Sequence, residues 1–158
     1  MSETERIADQ LKRAFEGEAW HGPSVMELVG NITVEQASAR PFPSSHSIWE
    51  IVLHIAAWER ACLRRLHGDR AQLSADEDWP LVVNAQDGGW QQSKLDLQTA
   101  EDELCDAISR LHDSRLDQPI IKRMSTVYVT LHGVVQHSLY HAGQIALLKK
   151  IISEGKSV

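Results

Sequence analysis

The sequence predicts an all-α protein, a four-helix bundle with extra short helices in the first long connection. Four long segments have apolar residues at the three- and four-residue spacing of a helix that buries one face. No two segments show the alternating pattern of paired strands. With 158 residues, 42% of them hydrophobic and 24% charged, the chain has the size and composition expected of one folded domain, residues 1–158.

The first predicted helix covers residues 3–16, where Ile7 and Leu11 recur at helical spacing. The connection that follows contains two short helical segments, which begin after the N-cap residues Ser24 and Thr33. It closes with a stretch that contains two prolines and therefore cannot continue as regular helix.

The second long helix begins after Ser47, where Glu50 three residues later completes a capping-box pattern, and it runs to about His67, before Gly68. Its first half, IWEIVLHIAAW, is apolar at nine of eleven positions. A helix that is apolar nearly all round is buried inside a bundle. We therefore expect this helix to contact several others.

The second half of the chain contains the other two long helices. Residues 69–86 are polar, include a proline and are expected to be irregular. The third long helix covers about residues 89–111. The last begins at Ser125 or Thr126 and reaches about Ile152.

Charge and composition exclude several classes of function. The formal net charge of −6 disfavours nonspecific binding to nucleic acid or to anionic membranes, and no apolar run approaches the length of a membrane helix. The polar N-terminus, MSETERIADQ, is unlike a signal peptide, and Cys62 and Cys105 form no CxxC motif. We expect a cytoplasmic protein that acts on a small molecule and binds neither nucleic acid nor membrane, with a homodimer as one option for its assembly.

His137 and His141 are four residues apart in the last helix, so both imidazoles face the same side one turn apart. They share a stripe with Val134 and Ile145, which should face the core. A buried imidazole needs a polar partner, and one metal ion would satisfy both rings. The spacing alone is weak evidence, and the alternative is a half-exposed pair at the edge of the bundle.

His54 is a single histidine in the most apolar helix, between Leu53 and Ile55. Such a histidine more often bonds to a backbone carbonyl than to a metal. In a bundle it could also meet the pair from across the core. Three neutral imidazoles leave coordination positions open, which is typical of a catalytic metal site. All-nitrogen ligation suits zinc, nickel, iron or copper.

Four further side chains are candidates for the surroundings of such a site. Glu50, one turn before His54, is a candidate catalytic base or fourth ligand, with the capping box as the alternative. Gln144, one turn after His141, could hold the second nitrogen of an imidazole, with a contact to another helix as the alternative. Trp58 and Tyr140 could line a cofactor or substrate pocket, although aromatic residues more often fill the core.

Two helical stretches, HSIWEIVLHIAAWE and LHGVVQHSLYHAGQIALLKK, resemble the signature helices of the DinB-like (YfiT-like) superfamily. The preceding AWHGPSVMELVGNITVEQASARP is similar to the usual lead-in of that family. The resemblance implies a four-helix bundle with a metal site whose ligands are His54, His137 and His141. It also implies relatives that include thiol S-transferases using bacillithiol or mycothiol and a mycothiol-dependent isomerase, beside many members without an assigned reaction.

The sequence and the resemblance together predict a protein that binds a divalent transition metal, zinc or nickel above others. The leading interpretation is a metalloenzyme of the thiol S-transferase or hydrolase type that activates a thiol or water. A low-molecular-weight thiol would be a second cofactor in the first case. The alternatives are a non-catalytic metal or small-ligand binding protein, in a stress response for example, and a bundle that serves only as an oligomer scaffold.

Overall fold

The computed structural model describes residues 1–83 and 85–155. Within them the chain forms seven α-helices, one short 3-10 helix (Asp113–Arg115) and no β-strand. The α-helices are α1 (Glu3–Glu16), α2 (Val25–Val29), α3 (Val34–Ser38), α4 (Ile48–Leu66), α5 (Ala75–Asp78), α6 (Asp87–Ser109) and α7 (Val127–Glu154). None of these helices has the length and apolar character needed to cross a membrane.

The four long helices, α1, α4, α6 and α7, form a bundle. α4 packs against α6 and α7, and α1 packs against the same two helices. α1 therefore lies diagonally across the bundle from α4. The predicted fold class, an all-α four-helix bundle, is confirmed, and α2 and α3 are the predicted short helices of the first long connection.

Capping boxes fix the starts of five helices. In each, the N-cap hydroxyl accepts a hydrogen bond from the third helical N–H, and the side chain of that third residue accepts one from the N-cap N–H. The pairs are Ser2–Glu5, Ser24–Glu27, Thr33–Gln36, Ser47–Glu50 and Ser74–Glu77. Losing an N-cap side chain costs a helix start about 1 kcal/mol. The last pair begins α5, so the expectation of an irregular chain over residues 69–86 is wrong for this turn.

The other predicted boundaries agree with the structure to within about a turn of helix. α4 ends before Gly68, whose φ of +91° favours glycine because a side chain there is strained. α6 begins and ends two residues earlier than predicted, and α7 extends two residues beyond Ile152. Such offsets at helix ends have no effect on the position of the site.

Two clusters of buried apolar side chains fill the bundle. One joins the first half of α4 to the second half of α7 and includes α2 and α3. The other joins the end of α4 to the first half of α7 and includes α1. α4 and α7 are therefore antiparallel. His137 and His141 lie on α7 between its contributions to the two clusters, facing the buried first half of α4.

Candidate metal centre

Three histidines from α4 and α7 converge inside the bundle. Nε2 of His137 lies 3.0 Å from Nε2 of His54 and 3.1 Å from Nε2 of His141. His54 and His141 are only 5% and 4% exposed. Among the residues that the structure describes, these three form the one group of at least three His, Cys, Asp or Glu side chains that could hold a metal ion.

Hydrogen bonds at the far side of two rings fix where their protons lie. Nδ1 of His54 is 2.6 Å from the carbonyl oxygen of Asp78, and Nδ1 of His141 is 2.7 Å from Oε1 of Gln144. Because both partners are acceptors, each Nδ1 carries the proton and each Nε2 presents a lone pair. This is the contact that the sequence analysis expects of Gln144.

The arrangement of the three rings fits a bound metal ion. Neutral His137 can place at most one proton on Nε2, and it faces two lone pairs there. A cation would satisfy all three nitrogens at once. Metal–nitrogen bonds of about 2.0–2.1 Å place tetrahedral ligand nitrogens about 3.3 Å apart. The observed separations of 3.0 and 3.1 Å are close to that value. Nδ1 of His137 is buried and has no hydrogen-bond partner among the described residues.

Burial keeps two of the rings neutral. Burial, together with the positive charges that His141 and His54 would carry, lowers the pKa of His137 to about 4. Burial likewise lowers the pKa of His141 to about 4, although its bond to Gln144 opposes the change. Neutral imidazole is the form that binds metal. At physiological pH both rings are therefore ready to act as ligands.

We expect acid to destabilise the metal-free protein through these rings. Their pKa is about 4 in the folded state and 6.5 in the unfolded chain. As the pH falls from 6.5 towards 4, the unfolded chain binds more protons and the free energy of unfolding decreases. The double variant His137→Gln/His141→Gln lacks this effect. Urea unfolding of both proteins in a chelator should show the parent losing stability relative to the variant in this window; parallel pH profiles would contradict the assignment.

Asp78 and Trp79, at the end of α5, complete the wall around His54. Nε1 of Trp58 donates to Oδ1 of Asp78 at 2.6 Å, and the Trp79 ring stacks on His54 with centroids 3.9 Å apart. His46 stacks on the other face of Trp79 at 3.5 Å. None of these three residues was predicted from the sequence to belong to the site. The capping box before α5 was a signal that residues 69–86 contain ordered structure.

The structure does not bring Glu50 to the three histidines. One carboxylate oxygen accepts from the Ser47 N–H at 2.8 Å, and the other forms an ion pair with Arg40. These contacts lower the pKa of Glu50 against the opposing effect of its burial. The capping alternative accounts for this side chain. The catalytic role predicted for it therefore has no geometric support.

Trp58 and Tyr140 line two different cavities, one on each side of the histidines. Trp58 and His137 belong to a cavity of about 270 Å³ between α4 and α7. Tyr140 and His141 belong to a cavity of about 390 Å³ that also contacts Trp79. Tyr140 is 65% exposed, so it lies at an entrance and not in the core. A small molecule could approach the three rings from either cavity.

Comparison with known proteins gives the family of the chain. The model of the DinB superfamily matches residues 20–145, so the chain belongs to this superfamily. The chain is also similar in fold to the crystal structure of a conserved protein from Enterococcus faecalis, with a TM-score of 0.75. That similarity covers 98% of this chain and 99% of the other at 18% sequence identity, which establishes the fold alone. Among curated proteins, no sequence matches.

Proposed function

We propose that the protein is a metalloenzyme in which His54, His137 and His141 bind one divalent ion, zinc or nickel. The observation that supports this most is the convergence of the Nε2 atoms of three imidazole rings. In two of these rings, His54 and His141, the other nitrogen is hydrogen-bonded to an acceptor. Three protein ligands leave at least one position open for a reacting molecule. Membership of the DinB superfamily, whose members typically bind metal, supports the same proposal.

The groups around the histidines orient their rings. The Asp78 carbonyl and the Gln144 amide hold the rings of His54 and His141 in the metal-binding tautomer. Trp79 covers one face of His54. A bound divalent ion would lower the pKa of a coordinated thiol or water and so supply a nucleophile at neutral pH. The two adjoining cavities could hold the reacting molecules against this position.

The reaction that we propose is transfer of a low-molecular-weight thiol to an electrophile, or hydrolysis if water takes the place of the thiol. Membership of a superfamily that includes thiol S-transferases favours the first. A non-catalytic metal or small-ligand binding protein is the second candidate, and the stacked rings that already cover His54 are the observation in its favour. Glu50 has no part in this proposal because its carboxylate contacts Ser47 and Arg40.

The purified protein should contain, or take up, close to one divalent ion per chain. The expectation follows from one cluster of three convergent nitrogens. Elemental analysis of protein purified without chelator, and again after incubation with zinc or nickel, measures the stoichiometry. A protein that remains free of transition metal after both incubations does not have the proposed site.

Activity separates the enzyme from the binding protein. We expect the metal-loaded protein to accelerate conjugation of a thiol to a chromogenic acceptor such as an aryl chloride. The assay compares bacillithiol, mycothiol and glutathione, each with metal-loaded and chelator-treated protein. A metal-dependent rate with one thiol supports the transferase, whereas no rate with any of them leaves hydrolysis and ligand binding.

A further inference from the structure

The 270 Å³ cavity between α4 and α7 has features of a binding site for a small anion. Its walls are largely apolar and include Trp58 and Val134. Among the residues that line it, Arg65 is the one with a permanent charge, and His137 lies at the side of the metal centre. At about 270 Å³ the cavity lies just below the roughly 300–1,000 Å³ that is usual for small-molecule sites, so it suits only a small ligand.

Arg65 is held in place without a counterion. Its Nε–H donates to the Ala71 carbonyl at 2.9 Å, and its guanidinium lies 5.4 Å from the centre of the Trp58 ring. The side chain is half-buried, yet no acidic side chain in residues 1–83 and 85–155 forms an ion pair with it. The preceding residue, Arg64, is exposed and pairs with Asp69 at 2.7 Å. A half-buried cation gains most from an anionic partner, and at Arg65 a ligand can supply it.

No group that lines the cavity supplies a negative charge. Cys62 is buried, and burial raises the pKa of its thiol to about 12, so it remains neutral. The Thr130 hydroxyl donates to the Thr126 carbonyl at 2.9 Å within α7. The cavity therefore combines one positive charge with apolar walls. A ligand with a single negative charge matches this better than a doubly charged phosphate.

Gly133 keeps the cavity open. It lies within α7, where glycine weakens a helix relative to alanine. A Cβ atom at this position would meet nothing within 4 Å, so close packing does not require glycine there. Because Gly133 lines the cavity, a longer side chain at this position would extend into it. Glycine at position 133 is therefore explained by the cavity volume that it leaves open.

We propose that this cavity binds a small monocarboxylate, with the carboxylate against the terminal nitrogens of Arg65 and the apolar body along Trp58 towards His137. The planar guanidinium matches a carboxylate through two parallel hydrogen bonds. That the ligand is a substrate rests on the proposed function, since it would then reach the metal centre beside His137. The binding itself depends only on the cavity.

Calorimetric titration of the chelator-treated protein tests the binding without metal. The probes are phenylacetate and its neutral analogue phenylacetamide. We expect the parent to bind phenylacetate about 10- to 100-fold more tightly than the amide. Arg65→Gln should remove this preference and leave the affinity for the amide unchanged. Arg64→Gln, one residue away and outside the cavity, should bind like the parent.

A second variant tests the space itself. Gly133→Leu should weaken both probes at least tenfold, because its side chain enters the cavity, while circular dichroism shows that the helices remain. Any of three results would overturn the proposal. They are equal affinity of the parent for the two probes, a loss of phenylacetate affinity in Arg64→Gln as large as that in Arg65→Gln, and no binding of phenylacetate at about 20 mM. Zinc titration of the parent separates this proposal from the proposed function: zinc binding without carboxylate binding removes only the cavity, and the reverse removes only the metal centre.

Discussion

Replacing any one of His54, His137 and His141 by alanine should weaken binding of zinc or nickel by about 100-fold or more. Loss of a side chain that merely orients a metal ligand commonly costs 10- to 100-fold, and loss of the ligand itself should cost at least that. The three nitrogens lie 3.0 and 3.1 Å apart, so removing one leaves a two-nitrogen site. Competition titration with a chromophoric chelator measures the affinities.

Two other histidines provide matched controls. His132 lies on α7 and packs against Tyr128 with ring centroids 4.3 Å apart, and His67 caps the end of α4. Alanine at either position should leave the metal affinity within about twofold of the parent. Unchanged affinity in His54→Ala would remove that residue from the site and leave the α7 pair alone.

The same variants should separate metal binding from folding. The parent should gain about 2.7 kcal/mol when free metal is present at 100 times its dissociation constant, and a ligand variant should gain almost nothing. Without metal, a ligand variant loses packing but also loses a lone pair that faces two others. We expect its thermal midpoint in chelator to lie close to that of the parent.

Periodicity was sufficient to predict the helices and to place His137 and His141 together, whereas the family resemblance was needed to add His54 to the cluster. Spacing of four residues fixes His137 and His141 on one face of α7 whatever surrounds it. The apolar segment around His54 predicts burial, and in a small bundle buried faces meet. For His54, the sequence left a choice between a bond to a backbone carbonyl and a contact with the histidine pair of α7. The structure shows both: Nδ1 bonds to the Asp78 carbonyl while Nε2 faces the other two rings.

The rest of the site depends on contacts that no periodicity encodes. α5 is one turn long, and its position against α4 results from the bond between Trp58 and Asp78 and the stacking of Trp79 on His54. The sequence could indicate a capped turn there but not its place in the bundle. Tyr140 was expected to line a pocket and does so at an exposed entrance, since it lies next to His141 but about 100° round the helix.

Glu59 of α4 and Glu101 of α6 form a buried pair of carboxyl groups away from the histidines. Glu59 is fully buried, and within the described residues neither of its oxygens accepts a hydrogen bond. Oε1 of Glu101 accepts only from the Cys105 thiol, at 3.2 Å. Burial raises the pKa of Glu59 well above its usual range, with the Glu101 charge adding to the effect, and burial raises the pKa of Glu101 to about 7. One proton shared between the two carboxyls would give each a partner.

Glu59→Gln should therefore stabilise the protein at alkaline pH. Between pH 4.5 and about 7 the folded parent keeps protons that the unfolded chain has released, so its free energy of unfolding falls as the pH rises. The glutamine amide donates to Glu101 without a titrating proton, and the gain should reach about 1–3 kcal/mol at pH 8 and be small at pH 5. Glu103→Gln, exposed on the same helix α6, is the control and should stay within about 0.5 kcal/mol of the parent at both values. Urea unfolding at pH 5 and pH 8 decides the matter: a Glu59→Gln effect that is the same at both pH values would show that the pair holds no proton.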